Sequence, residues 1–129
     1  MKFEFLTAFE VLEHLENPIA DISELMDMSE NVFVSTTLVP DPPPSPPDWW
    51  YYSPNSGQHI SFYTRKSLQV IADRFNRNLL SRGDYHLFSR EPKSEMKFRL
   101  AMNSKTARLI TLLNPQPSLI DADYKHMTR

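Results

Sequence analysis

The sequence predicts an α/β domain built on a mixed sheet of about four strands with helices laid over it. Two stretches carry that expectation. Between Lys2 and Val39 an apolar run, two helical spacings and a Val- and Thr-rich run follow one another, and further on a capped amphipathic helix leads into two strand-like runs around Gly83. With 129 residues the chain fits one domain, long enough to bury about two thirds of the surface its unfolded form exposes.

Lys2 to Ala8 carries Phe3, Phe5 and Leu6 and suits a strand buried on both faces. From Phe9 the apolar residues Phe9, Val11, Leu12 and Leu15 take helical spacing. Asn17-Pro18 closes that helix, because the residue before a proline is pushed out of the α region. Ile19 to Met28 repeats the spacing with Ile19, Ile22, Leu25 and Met26, and Asp21 and Glu24 near its start complement the helix dipole. After the break at Ser29-Glu30-Asn31, the run Asn31 to Val39 reads as a second strand, parallel to the first through a right-handed crossover. Ligands of such units bind beyond the carboxyl ends of the strands, here Thr7 to Glu10 and Thr37 to Pro40.

Residues 40–47 hold six prolines in eight positions, so they form an extended loop without ladder donors. Trp49, Trp50, Tyr51 and Tyr52 follow, a dense amphipathic surface that reads equally as a lid facing substrate or as an anchor for the loop. Thr64 caps a helix from Arg65 to Phe75 whose apolar side is Leu68, Val70, Ile71, Ala72 and Phe75. Asn78 to Ser81 and Asp84 to Arg90 form an antiparallel hairpin about Arg82-Gly83-Asp84. Glu95 to Leu113 reads as one long helix or two meeting near Asn103-Ser104, and residues 115–129 as an irregular tail with one short turn. The division is therefore a domain over 1–114, carrying a Pro-rich and aromatic loop at 40–58, and a tail over 115–129.

Composition excludes several chemistries. The chain has no Cys, so disulfides, thiolate nucleophiles and zinc–thiolate sites are ruled out. A formal charge of -2 gives no reason to expect binding to DNA or to an anionic membrane. Met1 to Phe5 is too short and too acidic for a signal peptide, which fits a cytoplasmic location. Two glycines stand against eleven prolines, and no G-x-G occurs. The sequence therefore contains no glycine turn of the kind that lets backbone approach a nucleotide cofactor.

Phe3 to Pro18, with Glu10-Val-Leu-Glu-His14 at its centre, resembles the segment that leads from the fourth strand into the next helix in class I S-adenosylmethionine (SAM) dependent methyltransferases. Gly57 to Leu68, with His59 and Phe62-Tyr63-Thr64, resembles a second segment of Methyltransf_23-type members, in the right order. The resemblance covers residues 1 to about 90. It implies a partial Rossmann-like methyltransferase fold that keeps neighbouring strands 4-5-7-6 of the family's 3-2-1-4-5-7-6 order, the C-terminal half without the SAM-binding glycine motif. SAM would be the cofactor of the complete domain, with Thr7, Ala8, Phe9 and Glu10 approaching its methionine end. The first strand would then present a raw edge, to be paired by the missing N-terminal half or by a second copy in a homodimer.

Glu10, Glu13 and His14 stand at i, i+3 and i+4, on one face of a helix starting near Phe9. With His59 they resemble the E-x-x-E-H plus distant His of small-RNA 3′-terminal 2′-O-methyltransferases. That likeness implies a divalent cation on Glu10, Glu13, His14 and His59, of the Mn²⁺, Fe²⁺ or Co²⁺ kind rather than Mg²⁺. The alternative is that Glu13 and His14 only cap and hydrogen-bond within the fold. His14 or His59 is also the candidate base for an oxygen acceptor, against a plain loop role for His59. His86 and His126 have no constellation around them. The leading reading is SAM-dependent methyl transfer to an unidentified acceptor, with this chain inactive alone; the alternative is a noncatalytic interaction module using residues 40–52.

Overall fold

The computed structural model describes residues 2–113 and 120–128. Four strands, β1 (Leu6–Phe9), β2 (Asn31–Ser35), β3 (Asn78–Arg82) and β4 (Tyr85–Ser89), form one sheet in the order β1-β2-β4-β3. β1 and β2 are parallel, in the register Leu6 to Val32 and Phe9 to Ser35, and the other two pairings are antiparallel. The mixed α/β sheet expected from the sequence is present, with the family's 4-5-7-6 neighbour order.

Helices α1 (Pro18–Met28) and α2 (Arg65–Arg74) cover one face. Ile22 and Met26 of α1 and Leu68, Ile71 and Ala72 of α2 close over Ala8, Val32, Val34 and Phe88, all buried. α2 starts where expected: Thr64 accepts from the Ser67 amide while Ser67 reaches back to the Thr64 amide, a reciprocal cap. Gly83 turns the hairpin at a positive φ of 56°. On the other face α3 (Glu95–Ala101) lays Phe98 edge-on against Phe33, and α4 (Ser104–Leu113) follows after Met102–Asn103. The two-helix reading of this stretch is therefore the one found.

Four expectations are corrected. β1 is shorter than Lys2 to Ala8 and buried on one side only; Phe5 and Phe9 are about half exposed on the face that α1 and α2 do not cover. Lys2 to Phe5 keeps one bridge, Phe3 to Ser29. The stretch from Phe9 to Leu15 is not a regular helix. Phe9 completes the β1 ladder, Glu10 takes a left-handed φ of 50°, and only a single 3₁₀ turn forms at Leu12–His14. The tail is not irregular where it is described, since α5 spans Ile120–Met127; residues 114–119 lie outside the described residues. β2 likewise ends at Ser35, with Leu38 bridging Tyr63 beyond it.

A buried histidine ties the hairpin to the end of β2. His86 donates from Nε2 to the Thr36 carbonyl at 3.1 Å, and its Nδ1 accepts from the Ser81 hydroxyl at 2.8 Å. Burial pushes its pKa down, outweighing the Thr36 carbonyl, which pulls it up. A depressed histidine keeps the folded chain unprotonated where the unfolded chain has begun to take a proton. Stability should thus fall as the pH drops below about 6.5, approaching about 1.4 kcal/mol per pH unit from this group. Urea unfolding across that range should show the component in the parent chain and not in His86→Gln; identical profiles would refute it.

Candidate functional site

The 3₁₀ turn after β1 is sewn to the segment before α2. The Glu13 carbonyl accepts from the amides of Ile60 (2.8 Å) and Ser61 (3.0 Å), Ser61 Oγ donates to the Leu15 carbonyl at 2.7 Å, and the Tyr63 hydroxyl donates to the Leu12 carbonyl at 3.0 Å. These bonds bring His59 to His14, their ring centroids 5.1 Å apart. Ligand atoms of Glu13, His14 and His59 lie within 4.8 Å of one another.

Both imidazoles are oriented by backbone carbonyls. His14 Nδ1 meets the Gln58 carbonyl at 2.8 Å and His59 Nδ1 meets the Tyr51 carbonyl at 2.6 Å. A carbonyl can only accept, so each Nδ1 carries the proton and the single lone pair of each neutral ring sits on Nε2. Carbonyl-bound Nδ1–H is the usual outer partner of a metal-ligating histidine. Glu13 is fully buried, and among the described residues neither of its carboxylate oxygens is within hydrogen-bonding geometry of a donor, although the Tyr51 hydroxyl lies close enough for the carboxylate to push that phenol's pKa up. Buried polar atoms are nearly always satisfied, and an unpaired buried carboxylate is costly. An orphaned carboxylate beside two oriented imidazoles is a donor set that a divalent cation fits.

The other expected residues divide. Glu10 stands apart from the cluster, because its Oε1 accepts from Ser35 Oγ at 2.7 Å while its amide bonds Ser35 as well. Its left-handed backbone takes it off any shared helix face. Thr7, Ala8 and Phe9 lie in β1, with Thr7 exposed, Ala8 in the core and Phe9 edge-on to Phe33. Among the aromatic four, Trp49 and Tyr51 are buried, Tyr52 donates its hydroxyl to the Pro44 carbonyl, and Trp50 is 77% exposed. Trp49, Tyr51 and Tyr52 pack with Phe62, anchoring the loop, which leaves Trp50 as the ring able to meet a ligand.

Tyr51 is the centre of this anchoring. Its hydroxyl accepts from the Thr37 amide at 3.1 Å and shares a 3.2 Å bond with Thr36 Oγ1. Its ring lies 4.5 Å from that of His59. Burial pushes its phenol up to about 12, against the opposing pull of Thr36 and Thr37 and with Glu13 adding to the rise. The sequence assigns no role to His86 or Arg77: the partners of the Arg77 guanidinium lie 47 to 51 residues away, and His86 pairs across the hairpin with Ser81 and, 50 residues away, with the Thr36 carbonyl.

No curated protein and no solved structure matches the chain. The family described as methyltransferase domain (Methyltransf_23) matches residues 1–82, well over half of the sequence. That span contains the β1–α1–β2 unit, the Glu13, His14 and His59 cluster, the aromatic loop, α2 and β3. The chain belongs to the methyltransferase domain family.

Proposed function

We propose that this chain forms the acceptor side of a SAM-dependent methyltransferase and holds a divalent cation on Glu13, His14 and His59. The observation that carries the reading is the buried Glu13 carboxylate, without a hydrogen bond of good geometry among the described residues, beside two imidazoles whose Nδ1 atoms are already engaged. With Glu10 engaged at Ser35, the donor set is one carboxylate and two imidazoles. That set suits Co²⁺, Fe²⁺ or Zn²⁺ better than Mg²⁺.

SAM, when bound, supplies a sulfonium methyl group whose S–CH₃ bond breaks onto sulfur as the acceptor oxygen forms the new bond. The protein's part is alignment and the removal of the acceptor's proton. A divalent ion on the cluster would lower the pKa of an acceptor hydroxyl bound to it. Without the ion, Nε2 of His14 or His59 is free to take that proton. Trp50 offers a flat surface to the acceptor. The open edge of β1 takes a further strand, from a cofactor-binding half or from a second copy, because the sequence itself carries no glycine turn. The interaction-module reading has less support, as Trp49 and Tyr51 are consumed by the chain's own core.

Cobalt titration tests the reading. One Co²⁺ should bind per chain with visible d–d absorption, and Glu13→Gln should weaken it by more than the roughly 10–100-fold seen when only an outer-shell partner is lost. Metal-free Glu13→Gln should be at least as stable as the parent, since it removes an uncompensated buried charge. SAM should give no heat with this chain alone. Absence of the cobalt spectrum would overturn the cation assignment, and SAM binding would overturn the division of the cofactor site.

A further inference from the structure

The formal charge of -2 conceals a segregated distribution. Residues 1–92 carry seven Lys and Arg against thirteen Asp and Glu, whereas residues 93–129 carry seven against three. Much of that basic surplus sits on α3 and α4. Lys97, Arg99, Lys105 and Arg108 are exposed and make no ion pair among the described residues.

The basic side chains converge on a cleft. Arg65 at the start of α2, Arg82 at the end of β3 and Arg99 on α3 line a cavity of about 330 Å³ together with Ser81 and a single carboxylate, Glu95. Arg82 and Arg99 also line the adjoining cleft, whose walls include Met96 and Leu100. Those two apolar side chains are 70% and 50% exposed. Three guanidinium groups around one opening recognise a phosphate-type anion, and Arg does so by paired N–H donors. Exposed Met and Leu beside it have no use for a freely dissolved anion. Cationic groups bordering unpaired apolar side chains on a helix are the pattern of a helix lying in a membrane interface.

We infer that the α3 face docks on an anionic phospholipid bilayer, with a lipid phosphate in the Arg65, Arg82 and Arg99 cleft and Met96 and Leu100 entering the acyl boundary. This departs from what net charge alone suggests, because attraction to a charged surface decays within about 8–10 Å at physiological salt and so depends on the local face.

Vesicle co-sedimentation of the 129-residue chain tests the inference. Binding is expected to phosphatidylcholine vesicles containing phosphatidylglycerol and not to phosphatidylcholine alone, with affinity falling as salt is raised. Arg65→Gln with Arg99→Gln, neither side chain hydrogen-bonded among the described residues, should weaken binding by roughly fivefold per charge. Met96→Ser with Leu100→Ser should weaken it with circular dichroism unchanged. No binding, equal binding to neutral vesicles, or binding of inorganic phosphate without binding of vesicles would overturn it. So would concentration-dependent self-association abolished by Met96→Ser with Leu100→Ser, which would assign the face to a second copy.

Discussion

Replacing Arg77 by alanine should lower the free energy of unfolding by about 4 kcal/mol, with a cooperative transition retained in urea. The guanidinium is buried where β3 begins and donates to the carbonyls of Met26, Ser29 and Glu30, at the end of α1 and in the turn that leads into β2. Burial pulls its pKa down, with Arg90 adding to the fall and Glu30 and Asp27 opposing it. Remove the side chain and three carbonyls lose their donor in a site too crowded for full hydration, each loss costing about 1–3 kcal/mol in a fully dry setting. Arg77→Lys should recover part of the loss, since one ammonium cannot reproduce the fork that spans three carbonyls. A change below 1 kcal/mol for Arg77→Ala would mean that water takes over those carbonyls.

Tyr51→Ala should cost a comparable amount, about 4 kcal/mol, and should weaken cobalt binding in the same variant. The ring is 1% exposed among Trp49, Trp50, His59 and Phe62, so truncation leaves a cavity. Its hydroxyl fixes Thr36 and Thr37 at the exit of β2, while its backbone carbonyl orients His59. Tyr51→Phe separates the two contributions. It keeps the packing, leaves the Thr37 amide without its acceptor, and should cost about 1–2 kcal/mol while preserving cobalt affinity. If Tyr51→Ala bound cobalt as tightly as the parent, the aromatic loop would have no part in holding His59 in place.

The sheet and its helices were legible because their signals are local. Val32, Phe33 and Val34 announce a strand, Thr64 with Ser67 announces a helix start, and Gly83 announces the hairpin. The stretch after β1 was not legible, since the apolar spacing of Phe9, Val11, Leu12 and Leu15 is helical. There the pairing of Phe9 with Ser35 and the left-handed turn at Glu10 override the local preference. The candidate site was legible in composition and not in geometry. Glu13, His14 and His59 do come together, through backbone bonds between the 3₁₀ turn and residues 60–61 rather than through a shared helix face, and Glu10 is diverted to Ser35. Arg77 and His86 escaped because a buried polar residue is defined by distant partners, which no short spacing encodes. The two-sided burial expected for β1 failed for a related reason. It needs a second covering layer, and in the described residues α3 covers only the side of the sheet where Phe98 meets Phe33.

Crystals grown with Co²⁺ and measured on both sides of the cobalt absorption edge test the cation site most directly. The expected result is an anomalous peak at about 2.0–2.2 Å, as in comparable zinc sites, from one Glu13 oxygen and from Nε2 of His14 and His59, with both Nδ1 atoms still on their carbonyls. An empty cluster in which the Glu13 carboxylate instead accepts the Tyr51 hydroxyl would contradict it, and would leave that carboxylate a purely structural group.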